Sequence, residues 1–322
     1  MSKLLANPST TMRMELLSDG VSFEWESFED FMKDFERVKK ERREFFDRHF
    51  SDDDWRLGTS FIERWYGCAG GWKECIEKTL NGWPELRQKL EAMLRDIELD
   101  IPQFTSHIAT RRRKRMRGDH GDVLDMQRVW SGELDRAWEL PAHVERMAYN
   151  TKRVTLVFDV TANGSVDAES ALWRAALCML LTDKLAQVGR VFEVWIIDST
   201  AGAFNSDWSS YSDPTVPRNL WAAWCVKRSG DPLVMDRLCS MLNIGFMRTA
   251  GFAAIAAGPW EPNPGIGAAL NHSLPGSLRA RRADGEVVVR VGECYSKKEM
   301  IAEYVRAWQE VEKHSQENVH AA

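Results

Sequence analysis

The chain is 322 residues long, with 44% hydrophobic and 28% charged residues, 14 Trp and a formal net charge of −5 at pH 7. That length and apolar fraction suffice for one large core or two smaller ones, and we expect two lobes. A net acidic chain excludes nucleic-acid binding through a global field, so any such contact needs a local basic patch.

No stretch approaches the roughly 18 apolar residues of a membrane span, and the first twenty residues lack the apolar segment of a signal peptide, which predicts a cytoplasmic protein. The six cysteines, Cys68, Cys75, Cys178, Cys225, Cys239 and Cys294, form no CxxC pair and have no His pair at zinc-finger spacing. Reduced, buried thiols are expected rather than a thiolate zinc site.

Residues 1–102 read as a helical, Trp/Gly-rich region. Ser27 followed by Asp30 has the spacing of a helix start, and Phe28, Phe31, Met32, Phe35, Val38, Phe45 and Phe46 recur near helical spacing behind it. Further on, Trp65, Trp72 and Trp83 alternate with Gly67, Gly70, Gly71 and Gly82. The glycines divide the pattern into short helices, and Pro84 suits the first position of a helix ending near Leu99. The tryptophans can pack a small helical core or, beside bare backbone, offer a platform for bases.

Residues 103–150 change texture and read as a basic linker or arm. Arg111, Arg112, Arg113, Lys114, Arg115 and Arg117 place six positive charges within seven residues, enough to neutralise several phosphates. The alternatives are a solvated face or an internal partner for Asp52, Asp53 and Asp54. Arg279, Arg281 and Arg282 are a candidate second contact. His120 lies between Asp119 and Asp122, but neighbours in a polar loop seldom converge on one point, so catalysis is not expected there.

From 151 to 322 apolar strands alternate with helices. We predict strands at 154–159, 191–198, 219–227, 252–257 and 286–292, with helices near 166–188 (Ser165 as candidate cap), 232–245 and 297–313. The expected fold is α/β: a mainly parallel, Rossmann-like sheet covered by helices, preceded by the helical N-terminal region.

The first of these strands ends in "DVTANGS". Ligands of open α/β sheets gather beyond the carboxyl ends of strands, and Asp159, Thr161 and Asn163 offer oxygens at alternate positions there. Such a set suits a hard divalent cation such as Mg²⁺.

"DVTANGS" resembles the Asp-x-Ser-x-Ser motif of von Willebrand factor A domains. "RSGDPLVMDRLCSML" is similar in placement to that family's Gly-Gly-Thr element, with Asp231 at the Thr position, and "VVVRVGECYSKKEMIAEYV" resembles its closing strand, turn and helix. The resemblance covers roughly residues 150–313. It implies a von Willebrand A-like sheet with a metal-ion-dependent adhesion site formed by Asp159, Thr161, Asn163 and Asp231, and a partner carboxylate completing the ion's shell. The sequence departs from the family where a Thr-Asp-Gly turn should supply a third ligand: "AAIAAGPWEP" offers Gly258 and no acid. The alternative is a metal-free domain in which Asp159 caps nearby backbone. The segment "RWYGCAGGWKECIEKTLNGWPE" is similar to proteins of bacterial viruses and prophages without assigned activity, which implies a virus-encoded protein in a bacterial cytoplasm.

No nucleophile elbow, phosphate-binding loop, paired His ligands or dinucleotide fingerprint is present. The expectation is therefore a non-enzymatic adaptor that docks a protein partner at the carboxyl edge of the sheet. The alternative is a single-stranded DNA-binding cofactor of viral transcription or replication, using the basic run and exposed Trp. Hydrolysis by a metal at Asp159 and Asp231 would lack a general base.

Overall fold

A computed structural model describes residues 12–17, 20–41, 43–44, 59–97, 117–118, 123–124, 126–133, 137–139, 153–162, 165–201, 219–253 and 274–316. The chain divides into two compact units. The larger joins Met1–Pro102 to Lys152–Ala322, and the smaller is Gln103–Thr151.

In the larger unit the elements run β1 (Met12–Leu17), β2 (Gly20–Trp25), α1 (Phe28–Glu41), α2 (Thr59–Tyr66), α3 (Gly71–Asn81) and α4 (Pro84–Arg95). The smaller unit holds β3 (Arg117–Gly118), β4 (Val123–Leu124), α5 (Met126–Trp130) and β5 (Trp138–Glu139), with β5 between the other two strands and antiparallel to both. The larger unit resumes with β6 (Val154–Asp159), α6 (Ala168–Gln187), β7 (Phe192–Ala201), β8 (Asn219–Lys227), α7 (Met235–Met241), α8 (Ile244–Phe246), α9 (Gly276–Ala283), β9 (Val287–Val291) and α10 (Lys297–Gln316).

Six strands form one mixed sheet in the order β1-β2-β8-β7-β6-β9. β6 lies parallel to both β7 and β9, as a buried strand joined by helical crossovers should. Its six residues are all buried, which explains why VTLVFD reads as a continuous apolar run instead of an alternating one. β8 runs antiparallel to β7, β2 runs parallel to β8, and β1 closes the edge as the antiparallel arm of a hairpin with β2.

The N-terminal residues therefore do not form a separate helical region. "MRMELLSDGVSFEW" contributes two strands, and GVSFEW is buried along its whole length because it is an inner strand of the sheet. Its polar residues point to one face: Glu24 Oε1 accepts from Ser22 Oγ at 2.7 Å and from the backbone N of Ser277, at the start of α9, at 2.9 Å. α9, absent from the sequence reading, lays Leu278 on this face against Val157, Trp195, Ile197, Ala223, Cys225 and Val288.

The opposite face carries an aromatic core. Phe31 of α1 stacks on Trp224 of β8 with centroids 4.5 Å apart, meets Trp25 edge-on at 5.2 Å, and lies 6.1 Å from Phe246. The Trp25 indole donates to Asp34 at 2.7 Å, which anchors α1 to β2 through a buried polar contact. Ser27 caps α1 as its spacing predicts, accepting from the backbone N of Asp30 at 3.1 Å.

α6 begins two residues later than Ser165 would place it. Asp167 is the cap, with its side chain accepting from the backbone N of Ser170 at 2.7 Å. The expected helix over 232–245 is broken at Asn243, whose side chain caps the next turn by accepting from Gly245 N at 2.7 Å. Gly245 must be glycine, because a Cβ there would collide with the carbonyl oxygen of Tyr66. The strand expected over 252–257 is not formed at its start: α8 continues as a π turn through Met247–Gly251, and Phe252 and Ala253 remain helical. The other residues of that segment lie outside the described residues.

Trp83 is buried, and Trp65 and Trp72 are half-buried. The Trp/Gly segment packs helices, with the Arg248 guanidinium 3.6 Å from the Trp65 ring centroid. Among the described residues no helix is long and apolar enough to cross a membrane.

Candidate functional site

The carboxyl ends of β6, β7 and β9 converge on a buried polar cluster around Asp159. β6 places Asp159 beside Ile197 of β7, and the two-residue strand repeat puts it on the same face as Val157, the partner of Arg290 on β9. Arg290 therefore reaches along the sheet to form an ion pair with Asp159 Oδ2. Ser199 Oγ donates to the same oxygen at 3.3 Å, while Asp159 Oδ1 accepts from the backbone N of Thr161 at 3.0 Å. Both carboxylate oxygens are thus engaged by the protein.

Thr161 ties this strand end to the next. Its hydroxyl donates toward Asp198 Oδ1 at 3.1 Å or the Ser199 carbonyl at 3.0 Å, and accepts from Ser199 N at 2.7 Å. From α6, fully buried Arg174 donates to the carbonyl oxygens of Asp159 at 3.1 Å and Thr161 at 3.4 Å. The Tyr295 hydroxyl donates to the Thr161 carbonyl at 3.3 Å, and Arg248 donates to the Val166 and Trp65 carbonyls at 2.7 and 2.8 Å. The cationic side chains thus fix the backbone leaving β6.

Asp198 is the second strand-end carboxylate. Burial, then the charge of Asp159, pushes its carboxyl up to about 7 despite the hydrogen bond from Thr161. Its Oδ2 has no hydrogen-bond partner, and a Cβ on Gly251 would sit 2.9 Å from that oxygen. Partial desolvation, then the charge of Asp159, also raises the carboxyl of Glu293, a residue exposed at this rim. Burial above all pushes the Tyr295 phenol up and brings the Arg248 guanidinium down to about 10.

Of the proposed metal ligands, Asp159 and Thr161 are adjacent as expected, and Asn163 lies outside the described residues. Asp231 is not part of the site. Because β8 is antiparallel to β7, Lys227 pairs with Val194 near the amino end of β7, and Asp231 follows four residues later at that opposite end of the sheet. There its side chain is exposed and accepts from Arg228 N at 3.2 Å, closing a local turn. With both oxygens of Asp159 engaged by Arg290, Ser199 and the backbone N of Thr161, and with Asp231 remote, the Mg²⁺ ligand set expected from the sequence is not assembled. Among the described residues no three His, Cys, Asp or Glu side chains group so as to hold a metal ion.

Of the basic run, Arg111, Arg112, Arg113, Lys114 and Arg115 lie outside the described residues, while Arg117 belongs to β3 opposite Glu139. Asp119, His120 and Asp122 also lie outside them.

Sequence reasoning missed Asp198, Arg174 and Arg290. Each left a trace: VFEVWIID holds an acid where VTLVFD does, Arg174 interrupts the apolar LWRAALCML, and Arg290 is the one charge in VVVRV.

No curated relative and no solved structure matches this chain. One family model does, over residues 14–313, a span that takes in both compact units. That match is nearly the whole length, and the chain belongs to this family, DUF7192, a domain of unknown function.

Proposed function

We propose that the protein is a non-catalytic binding protein that docks a protein partner on the loops at the carboxyl rim of the sheet, and that it does so without a metal ion. The observation that carries this reading is the Asp159–Arg290 ion pair, in which a guanidinium meets the carboxylate that a cation would otherwise hold. Around it Arg174, Tyr295 and Arg248 brace backbone carbonyls, giving the rim a rigid frame for loops to project from. Binding segments are commonly loops positioned by such scaffolds.

The test is photo-crosslinking in a bacterial lysate, with the reactive residue placed at exposed Ser165 on this rim or at exposed Asp231 at the far end. A discrete adduct is expected from position 165, identified by mass spectrometry, unchanged by EDTA and absent from position 231. Loss of the adduct on chelation would reject metal independence. Equal adducts from both positions would reject the rim.

A second reading has its own observation. In the unit that carries the basic run, Trp130 of α5 is 79% exposed, large enough to stack a base. If this unit binds single-stranded DNA, Trp130→Ala should weaken binding by about 5- to 150-fold, the range that corresponds to losing one stacked base. Replacing the six basic residues by Ser should flatten the salt dependence in an anisotropy titration. No affinity for labelled oligonucleotides at low salt would dismiss this reading.

A further inference from the structure

A cleft of about 500 Å³ opens at the end of the sheet opposite Asp159. Four arginines line it: Arg13 of β1, Arg153 just before β6, Arg228 just after β8, and Arg281 of α9. They come from distant parts of the chain, and the antiparallel course of β8 is what brings Arg228 to the end where β6 and β7 begin.

Intramolecular contacts use only part of these guanidiniums. Arg13 engages Glu15 through one nitrogen at 3.3 Å, and Arg153 engages Glu193 through one nitrogen at 3.0 Å. Arg228 uses two nitrogens on the Glu26 carbonyl at 3.1 and 3.0 Å, which fixes its plane at the cleft wall. Arg281 uses one on Glu193 at 2.7 Å and one on Glu286 at 2.9 Å. Each guanidinium has five N–H donors, so every one of the four retains donors for an oxyanion.

The carboxylate deepest in the cleft, Glu193, is neutralised from both sides. Burial alone would raise its carboxyl, but the hydrogen bond and charge of Arg281, with the charge of Arg153, hold it below the usual range. The volume falls in the range of small-ligand sites.

We propose that this cleft binds a small phosphorylated molecule, with its phosphate among Arg13, Arg153, Arg228 and Arg281. Arginine suits the task because its fork pairs two donors with two phosphate oxygens. The site lies at the far end of the sheet from the docking rim and shares no residue with it, so either proposal can fail alone.

Isothermal titration of the full chain with inorganic pyrophosphate and with AMP, at low ionic strength, tests it. Sub-millimolar binding of at least one is expected. Arg13→Ser combined with Arg153→Ser should weaken it by roughly tenfold or more, since two phosphate contacts are lost while Arg281 still neutralises Glu193. Glu26→Gln and Asp284→Asn, which remove cleft carboxylates, should tighten it. Arg282→Ser, whose guanidinium pairs with Glu310, should leave it unchanged. No heat from either compound at millimolar concentration, undiminished affinity in the double variant, or binding of a short oligonucleotide where AMP and pyrophosphate fail would each overturn the proposal.

Discussion

Arg290→Met is expected to destabilise the protein by about 3–5 kcal/mol, the usual consequence of removing one member of a buried ion pair. Asp159 is fully buried, so without Arg290 its charge keeps, among the described residues, Ser199 Oγ and Thr161 N as hydrogen-bond partners. Urea unfolding should show a lower midpoint with an unchanged slope. The double variant Asp159→Asn, Arg290→Met should recover most of the loss, because a neutral pair of similar volume carries no desolvation penalty. A single variant within about 1 kcal/mol of wild type would mean that water already solvates Asp159.

Asp198→Asn is expected to stabilise the protein at pH 8 and to have little effect near pH 4. Its carboxyl titrates near 7 in the folded state, well above an ordinary carboxylate. Between about pH 4 and 7 the folded chain therefore holds a proton that the unfolded chain has released, and stability falls as pH rises through that window. An interval of about three pH units at about 1.4 kcal/mol each sets a ceiling of roughly 4 kcal/mol on the effect. Asparagine, which cannot ionise, escapes this loss. Carboxyls held low, such as Asp30 and Glu193, have the opposite dependence, but they are common to both proteins and cancel in the difference. Thermal melts from pH 4 to 8 should show the gap between variant and wild type widening toward pH 7 and levelling above it. A gap independent of pH would show that Asp198 titrates normally.

Much of the second half of the fold was legible because its strands carry their own signature. VTLVFD and EVVVRVG are apolar, β-branched and bounded by turn residues, and both form strands where the pattern places them. The first half was harder to read. MRMELL alternates weakly and GVSFEW mixes Ser and Glu among its apolar residues, because its polar face meets the start of α9 rather than hydrocarbon. Tertiary packing outweighed local pattern there.

The site was half legible for a related reason. A strand-end acid can be read from one segment, which located Asp159. Its partner Arg290 lies 131 residues away, and only the sheet register brings the two together. Asp231 shows the reverse failure: a motif match located it by order along the chain, while the direction of β8 carried it to the other end of the sheet.

The pairing of β2 with β8 also bears on how the molecule comes into being. Val21 sits opposite Leu220, so a strand near the start of the chain waits for about two hundred further residues before its neighbour exists. At roughly 5–20 residues per second on a ribosome, that delay is on the order of 10–40 s. Throughout it the nascent hairpin of β1 and β2 offers an open edge, and the aromatic face of β2 lacks Trp224 to cover it. The first strands of the described chain are thus left unsealed until most of the sheet has been made.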